Sequence, residues 1–119
     1  MFAAHYKLNN LCAFIDFNGL QIDGDVRQVM NPTPLDEKFR AFGWNVVCID
    51  GHNFEEIEEA VEAAKNSALP TAVIAKTIKG KGVSFMENEA GWHGNAPNEE
   101  QYKIGMADLA KFDVEVTVG

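Results

Sequence analysis

A chain of 119 residues with 46% apolar content is long enough to bury one core, so a single compact domain is expected. Eighteen acidic side chains against ten Lys and Arg leave a formal charge of -8. That balance argues against nucleic-acid binding and against attraction to an anionic membrane, so any phosphate ligand must be met by local cations or a metal. Cys12 and Cys48 stand in apolar stretches with no CxxC spacing, where a thiol is expected to behave as a small hydrophobe. No signal peptide and no apolar run of membrane-spanning length occurs, and a reducing cytoplasm is the expected location.

The opening MFAAHYKLNNL reads as the last turns of a helix followed at once by a strand, an order that points to something upstream. LCAFIDF, residues 11 to 17, is a nearly continuous apolar run, the pattern of a strand covered on both faces. Residues 18 to 33 are irregular. Thr33 and Pro34 place a cap and a first-turn proline before LDEKFRAF, with Leu35, Phe39 and Phe42 on one helix face and Gly43 as the stop. WNVVCID, residues 44 to 50, is a second buried strand. Asn53 and Glu56 have the spacing of a capping pair for a helix running to about Asn66. In that helix Phe54, Ile57, Val61 and Ala64 face inward, and Glu55, Glu58, Glu59 and Glu62 form a solvated face.

Pro70 then introduces TAVIAKT, a third strand, and the alternation of strands with helices predicts an α/β fold: a three-layer parallel sheet with flanking helices. Asn98 opens a last helix carrying Tyr102, Met106 and Leu109 on one side, and the terminal VEVTVG reads either as an edge strand or as a loose terminus. Ligands of parallel sheets collect at the carboxyl ends of the strands, here residues 16 to 20, 50 to 53 and 76 to 82.

Three motifs at or near those ends carry chemistry. In IDFNGLQIDG, residues 15 to 24, Asn18 offers a side-chain oxygen and Leu20 a backbone carbonyl. Gly19 between them permits a tight curl, so the pair suits Mg2+, although an Asn-Gly step is also an ordinary turn. KTIKGKG, residues 76 to 82, gathers three lysines and two glycines in an acidic chain; it reads as an anion cradle or as a solvated loop, and it lacks the P-loop order. GWHG, residues 91 to 94, sets His93 between small and aromatic neighbours, where it can donate to a phosphate and exchange protons, or simply bond a backbone carbonyl. His5 and His52 are expected to serve structure or subunit contacts.

These motifs, in this order and over residues 2 to 110, resemble the thiamine diphosphate-binding N-terminal domain of transketolase, or the N-terminal subunit of split forms. The resemblance rests on AAHYKLNNL, IDFNGLQIDG, RAFGWNVVCIDGH, PTAVIAKTIKGKGVSFMEN and GWHGNAPN. It implies that Asn18 and the Leu20 carbonyl ligate Mg2+ and that Lys79 contacts the diphosphate. It also implies that Ile78 packs near the thiazolium ring and that His93, the candidate catalytic residue, lies near the diphosphate and the reacting centre.

Phe17-Asn18 replaces the Asn pair usual in that family, and no Gly-Asp-Gly stands among the seventeen residues before Asn18. The resemblance is therefore to the C-terminal half of a cofactor domain, a single partial domain over residues 1 to 119. It implies partners: an upstream Gly-Asp-Gly segment and a pyrimidine-binding domain or subunit, in a homo- or hetero-oligomer acting on sugar phosphates. Without the family's acidic metal ligand, the isolated chain is expected to bind cofactor weakly and to be inactive. Alternatives are a fragment of another thiamine diphosphate enzyme, such as a 1-deoxyxylulose-5-phosphate synthase, or a non-catalytic assembly module. Absent strands would leave a sheet edge open for pairing with a partner or a second copy.

Overall fold

The structure, a computed structural model, describes residues 1 to 112. VEVTVG lies outside the described residues. A short helix α1 (Phe2–His5) leads into strand β1 (Cys12–Phe17), a two-residue-per-arm hairpin of β2 (Leu20–Gln21) and β3 (Gly24–Asp25), and the single turn α2 (Val26–Val29). Helix α3 (Leu35–Ala41), strand β4 (Asn45–Asp50), helix α4 (Phe54–Lys65), strand β5 (Thr71–Lys76) and helix α5 (Glu99–Leu109) follow. The strands β1, β5 and β4 form a parallel sheet in that spatial order, with Cys12, Thr71 and Asn45 in register.

The apolar content of each strand tracks its place in that order. β5 lies in the middle, and Thr71 through Ala75 are all buried. On one face Ile57 and Ala60 of α4 pack against Val47, Ile49, Val73 and Ala75, and this is the core. The α3 helix lies against β4, with Phe39 set edge-on to Trp44 at 5.3 Å.

β1 is not covered on both faces as its composition predicts. Cys12, Phe14 and Asp16 are exposed on alternate positions, because α4 sits over β4 and β5 and stops short of this edge strand. Cys12 is consequently exposed; Cys48, on the face of β4 turned away from α4, is exposed as well, and neither is the buried hydrophobe expected. Among the described residues no strand pairs with the outer margin of β1: Leu11 and Phe17 direct their carbonyls to Thr71 and Thr77 of the β5 side, which turns the backbone of Cys12, Phe14 and Asp16 the other way.

Other expectations shift at helix ends. Thr33 does not cap α3; its amide and hydroxyl both donate to Asn31 Oδ1, the helix starts a residue later, and Phe42 remains half exposed. Asn53 does cap α4, accepting from the amides of Glu55 at 3.0 Å and Glu56 at 3.3 Å. Phe54 is 87% exposed rather than inward, because the first helical residue projects past the end of the sheet toward Gly82, Leu109 and Phe112. In α5 the capping box of Asn98 and Gln101 forms, but Tyr102, Met106 and Leu109 face outward. The buried side is Gly105 and Asp108, and Asp108 accepts from both the amide and the hydroxyl of Ser84. A polar tie, not an apolar stripe, docks this helix.

Candidate cofactor site

The carboxyl ends of β1 and β5 are pinned together. Thr77 donates its amide to Phe17 O at 3.3 Å and its hydroxyl to the Asp16 carboxylate. From this junction β1 turns into the hairpin and β5 into the lysine loop, so two segments distant in the chain leave the sheet side by side.

Asn18 Oδ1 accepts the Leu20 amide at 2.9 Å, a side-chain-closed turn that fixes the direction of the amide. Gly19 lies within it at φ +76°, a conformation costly for any residue with a β-carbon. One lone pair of Oδ1 is thereby used and one remains. At the end of the hairpin, Asp25 accepts from the Arg27 amide and pairs with its guanidinium, which holds the Asp25 carboxyl down to about 2.

KTIKGKG is not a row of free amides, and as a backbone cradle for an anion it is largely closed. The Ile78 amide donates to His52 Nε2 at 2.8 Å, the Lys81 amide to Ile78 O at 3.2 Å, and the Gly82 amide to Glu87 Oε1 at 2.9 Å. Asn88 donates back to Lys79 O at 3.0 Å, which closes the excursion into a compact loop. What this loop offers a ligand is its side chains.

GWHG forms a single 3-10 turn, Ala90–His93, packed on β2. Trp92 anchors it: the indole N–H donates to Phe85 O at 2.9 Å, and the ring meets Phe85 edge-on at 5.2 Å. His93 itself is exposed.

Asn18, Leu20, Lys79 and His93, from three separate segments, line one small cavity of about 40 Å³, together with Gln21. Ile78 is not among them. It lines a larger cavity of about 590 Å³ with Cys48, His52, Glu56 and Lys81, on the other side of the loop. Gln21 has no signal in composition or spacing beyond its place beside Leu20. The link from His52 to Ile78 spans 26 residues and has no local signature.

The donor set suits a diphosphate: Lys79, His93 and two amide residues, Asn18 and Gln21, border the same small space. It meets a hard dication only in part, since Asn18 and Leu20 are neutral oxygens. Among the described residues no group of three or more His, Cys, Asp or Glu is placed to hold a metal.

Comparison with known proteins bears on these residues. The family described as the transketolase thiamine diphosphate binding domain matches residues 1–117. The 6-deoxy-6-sulfo-D-fructose transketolase subunit SqwG of Clostridium sp. (strain MSTE9) is 46% identical over 112 residues, 93% of this chain and 41% of that protein. An apulose-4-phosphate transketolase subunit of Phocaeicola vulgatus is 38% identical over 107 residues, 89% of this chain and 38% of that protein. The crystal structure of transketolase from Campylobacter jejuni superposes with a TM-score of 0.85 at 36% identity, covering 92% of this chain and 17% of that one. This chain thus spans about two fifths of the length of the two subunit relatives. It belongs to the transketolase thiamine diphosphate-binding domain family.

Proposed function

We propose that this chain contributes part of the diphosphate end of a thiamine diphosphate site in a transketolase-type enzyme. The assembled enzyme moves a two-carbon ketol unit from a ketose phosphate to an aldose phosphate. The observation that carries this reading is the meeting of Asn18, Leu20, Lys79 and His93 around one cavity at the carboxyl ends of a parallel sheet. Relatives named for apulose 4-phosphate and for 6-deoxy-6-sulfo-D-fructose support a sugar with an anionic terminal group as the substrate class.

When bound, thiamine diphosphate supplies the carbanion chemistry at its thiazolium. Lys79 neutralises a diphosphate oxygen. Asn18 Oδ1 and the Leu20 carbonyl would give two neutral oxygens to Mg2+. His93 donates to an anionic oxygen and exchanges a proton at the exposed rim, and Ile78 presents an apolar surface on its own side of the loop. Two neutral oxygens do not replace the attraction of a carboxylate for a dication, so the acidic ligand comes from polypeptide outside these residues. A pyrimidine-binding domain or subunit completes the oligomer.

Calorimetry on the chain alone is expected to show no micromolar binding of thiamine diphosphate with Mg2+. Mixing the chain with polypeptide carrying a Gly-Asp-Gly segment and with a pyrimidine-binding subunit should restore ketol transfer. Asn18→Ala should abolish that transfer and Glu59→Ala should leave it. Equal activity in the two variants would refute the assignment.

A further inference from the structure

We propose that His52 is a positioning residue for Lys79. The inference deepens the reading of the cavity as a diphosphate site and rests on it for its functional meaning. The contact itself is independent of any cofactor.

His52 sits in the turn between β4 and α4, and that turn is fixed on every side. The Gly51 amide donates to Lys76 O at 2.8 Å, so the turn is tied to the end of β5. Asp50 Oδ1 accepts from the His52 amide at 2.9 Å, and Glu56 of α4 reaches back to the Asp50 amide at 2.7 Å. Gly51 lies so close to β5 that an added β-carbon would stand 2.5 Å from Thr77 Cγ2. From this frame the imidazole reaches across to the next segment, and Nε2 accepts the Ile78 amide at 2.8 Å. Because the amide is the donor, Nε2 is the unprotonated nitrogen and the ring is neutral.

Ile78 precedes the lysine that borders the cavity. Fixing its peptide fixes which side of the loop each of the two residues takes: Ile78 toward the cavity it shares with His52, Lys79 toward Asn18 and His93. Thr77 is held to Asp16 and Phe17 on the other side of the same peptide. The loop is thus clamped just before Lys79 by two bonds from Thr77 to β1 and one to the turn after β4. Removing the imidazole frees the second clamp and lets the lysine leave the cavity while the sheet stays intact.

The test is residue-resolved amide exchange and NMR on the full chain, with inorganic pyrophosphate as the probe. In His52→Ala the Ile78 amide is expected to exchange at least about tenfold faster, while the central-strand amide of Val73 is unchanged, as for a local opening. His52→Gln places an oxygen where Nε2 stood and should restore protection; His52→Asn, one bond shorter, should not, and it replaces the Ala variant if that chain fails to fold. Pyrophosphate should shift the Lys79, Asn18 and His93 signals of the native and Gln chains and should bind the Asn chain as weakly as it binds Lys79→Ala. Unchanged Ile78 exchange, an equal rise at Val73, or failure of Gln to rescue overturns the proposal. Should pyrophosphate leave the native signals unmoved while the exchange pattern holds, the positioning stands and the diphosphate reading alone falls.

Discussion

Replacing Gly80 by Ala tests the lysine loop where it is tightest. Gly80 has φ +69°, and a β-carbon built there stands 2.6 Å from both Cβ and the carbonyl oxygen of Met86. Neither atom is the loose end of a side chain. Met86 donates its amide to Val83 O at 2.9 Å, and Asn88 closes the loop on Lys79, so the backbone has little room to yield. Two costs add. The left-handed conformation costs an L-residue about 1 to 2 kcal/mol, offset by roughly 0.4 to 1 kcal/mol from the stiffer unfolded chain. Overpacking against fixed atoms adds about 1 to 3 kcal/mol.

Gly80→Ala should therefore lose about 2 to 4 kcal/mol, a large share of the roughly 5 to 15 kcal/mol that holds an ordinary domain together. Gly19 isolates the first cost, since it has φ +76° with nothing within 4 Å of an added β-carbon; Gly19→Ala should lose only about 1 kcal/mol. Gly91 meets neither condition, and Gly91→Ala should fall within about 0.5 kcal/mol of the native chain. Urea unfolding of the three variants, with m held equal, reads the series. If Gly80→Ala costs no more than Gly19→Ala, the close approach to Met86 is absent and the loop is not the clamped structure described.

Two further outcomes are expected. Asn53→Ala removes the acceptor for two amides at the start of α4 and should cost about 1 to 2 kcal/mol in the same assay, with Glu59→Ala, on the solvated face, as the near-neutral control. The hydrogen bonds from the Arg27 side chain and amide lower the Asp25 carboxyl from 3.8 to about 2, so their contribution to stability is present above the ordinary value and lost as pH falls through about 2. Carboxyl carbon NMR titration should find Asp25 near that value, and Arg27→Ala should return it toward the ordinary range; an Asp25 titration unchanged by that substitution refutes the pairing.

Much of this molecule is written locally. Strand and helix alternation follows from short apolar runs separated by Asn53, Pro70 and Asn98, each of which acts on its own neighbours through a cap or a forced φ. The motif around Asn18 is equally local, because its turn closes within three residues. Such features depend on interactions a few residues long, and the sequence is sufficient to read them.

The spatial order of the strands is of another kind. β1 and β5 have similar apolar content, yet β5 is buried on both faces while β1 exposes Cys12 and Phe14, because only the sheet order decides which strand lies between two others. The same holds for the exposure of Phe54, for the polar docking of α5 through Asp108, and for the opposite directions of Ile78 and Lys79. Each is settled by a partner 24 or more residues away or by the end of a neighbouring element. Sequence alone determined the longer strands and helices and nominated the residues of the site, while β2, β3 and α2 fall in the stretch it left irregular; tertiary structure decided which residues meet, since burial and hydrogen bonding between distant segments have no period along the chain.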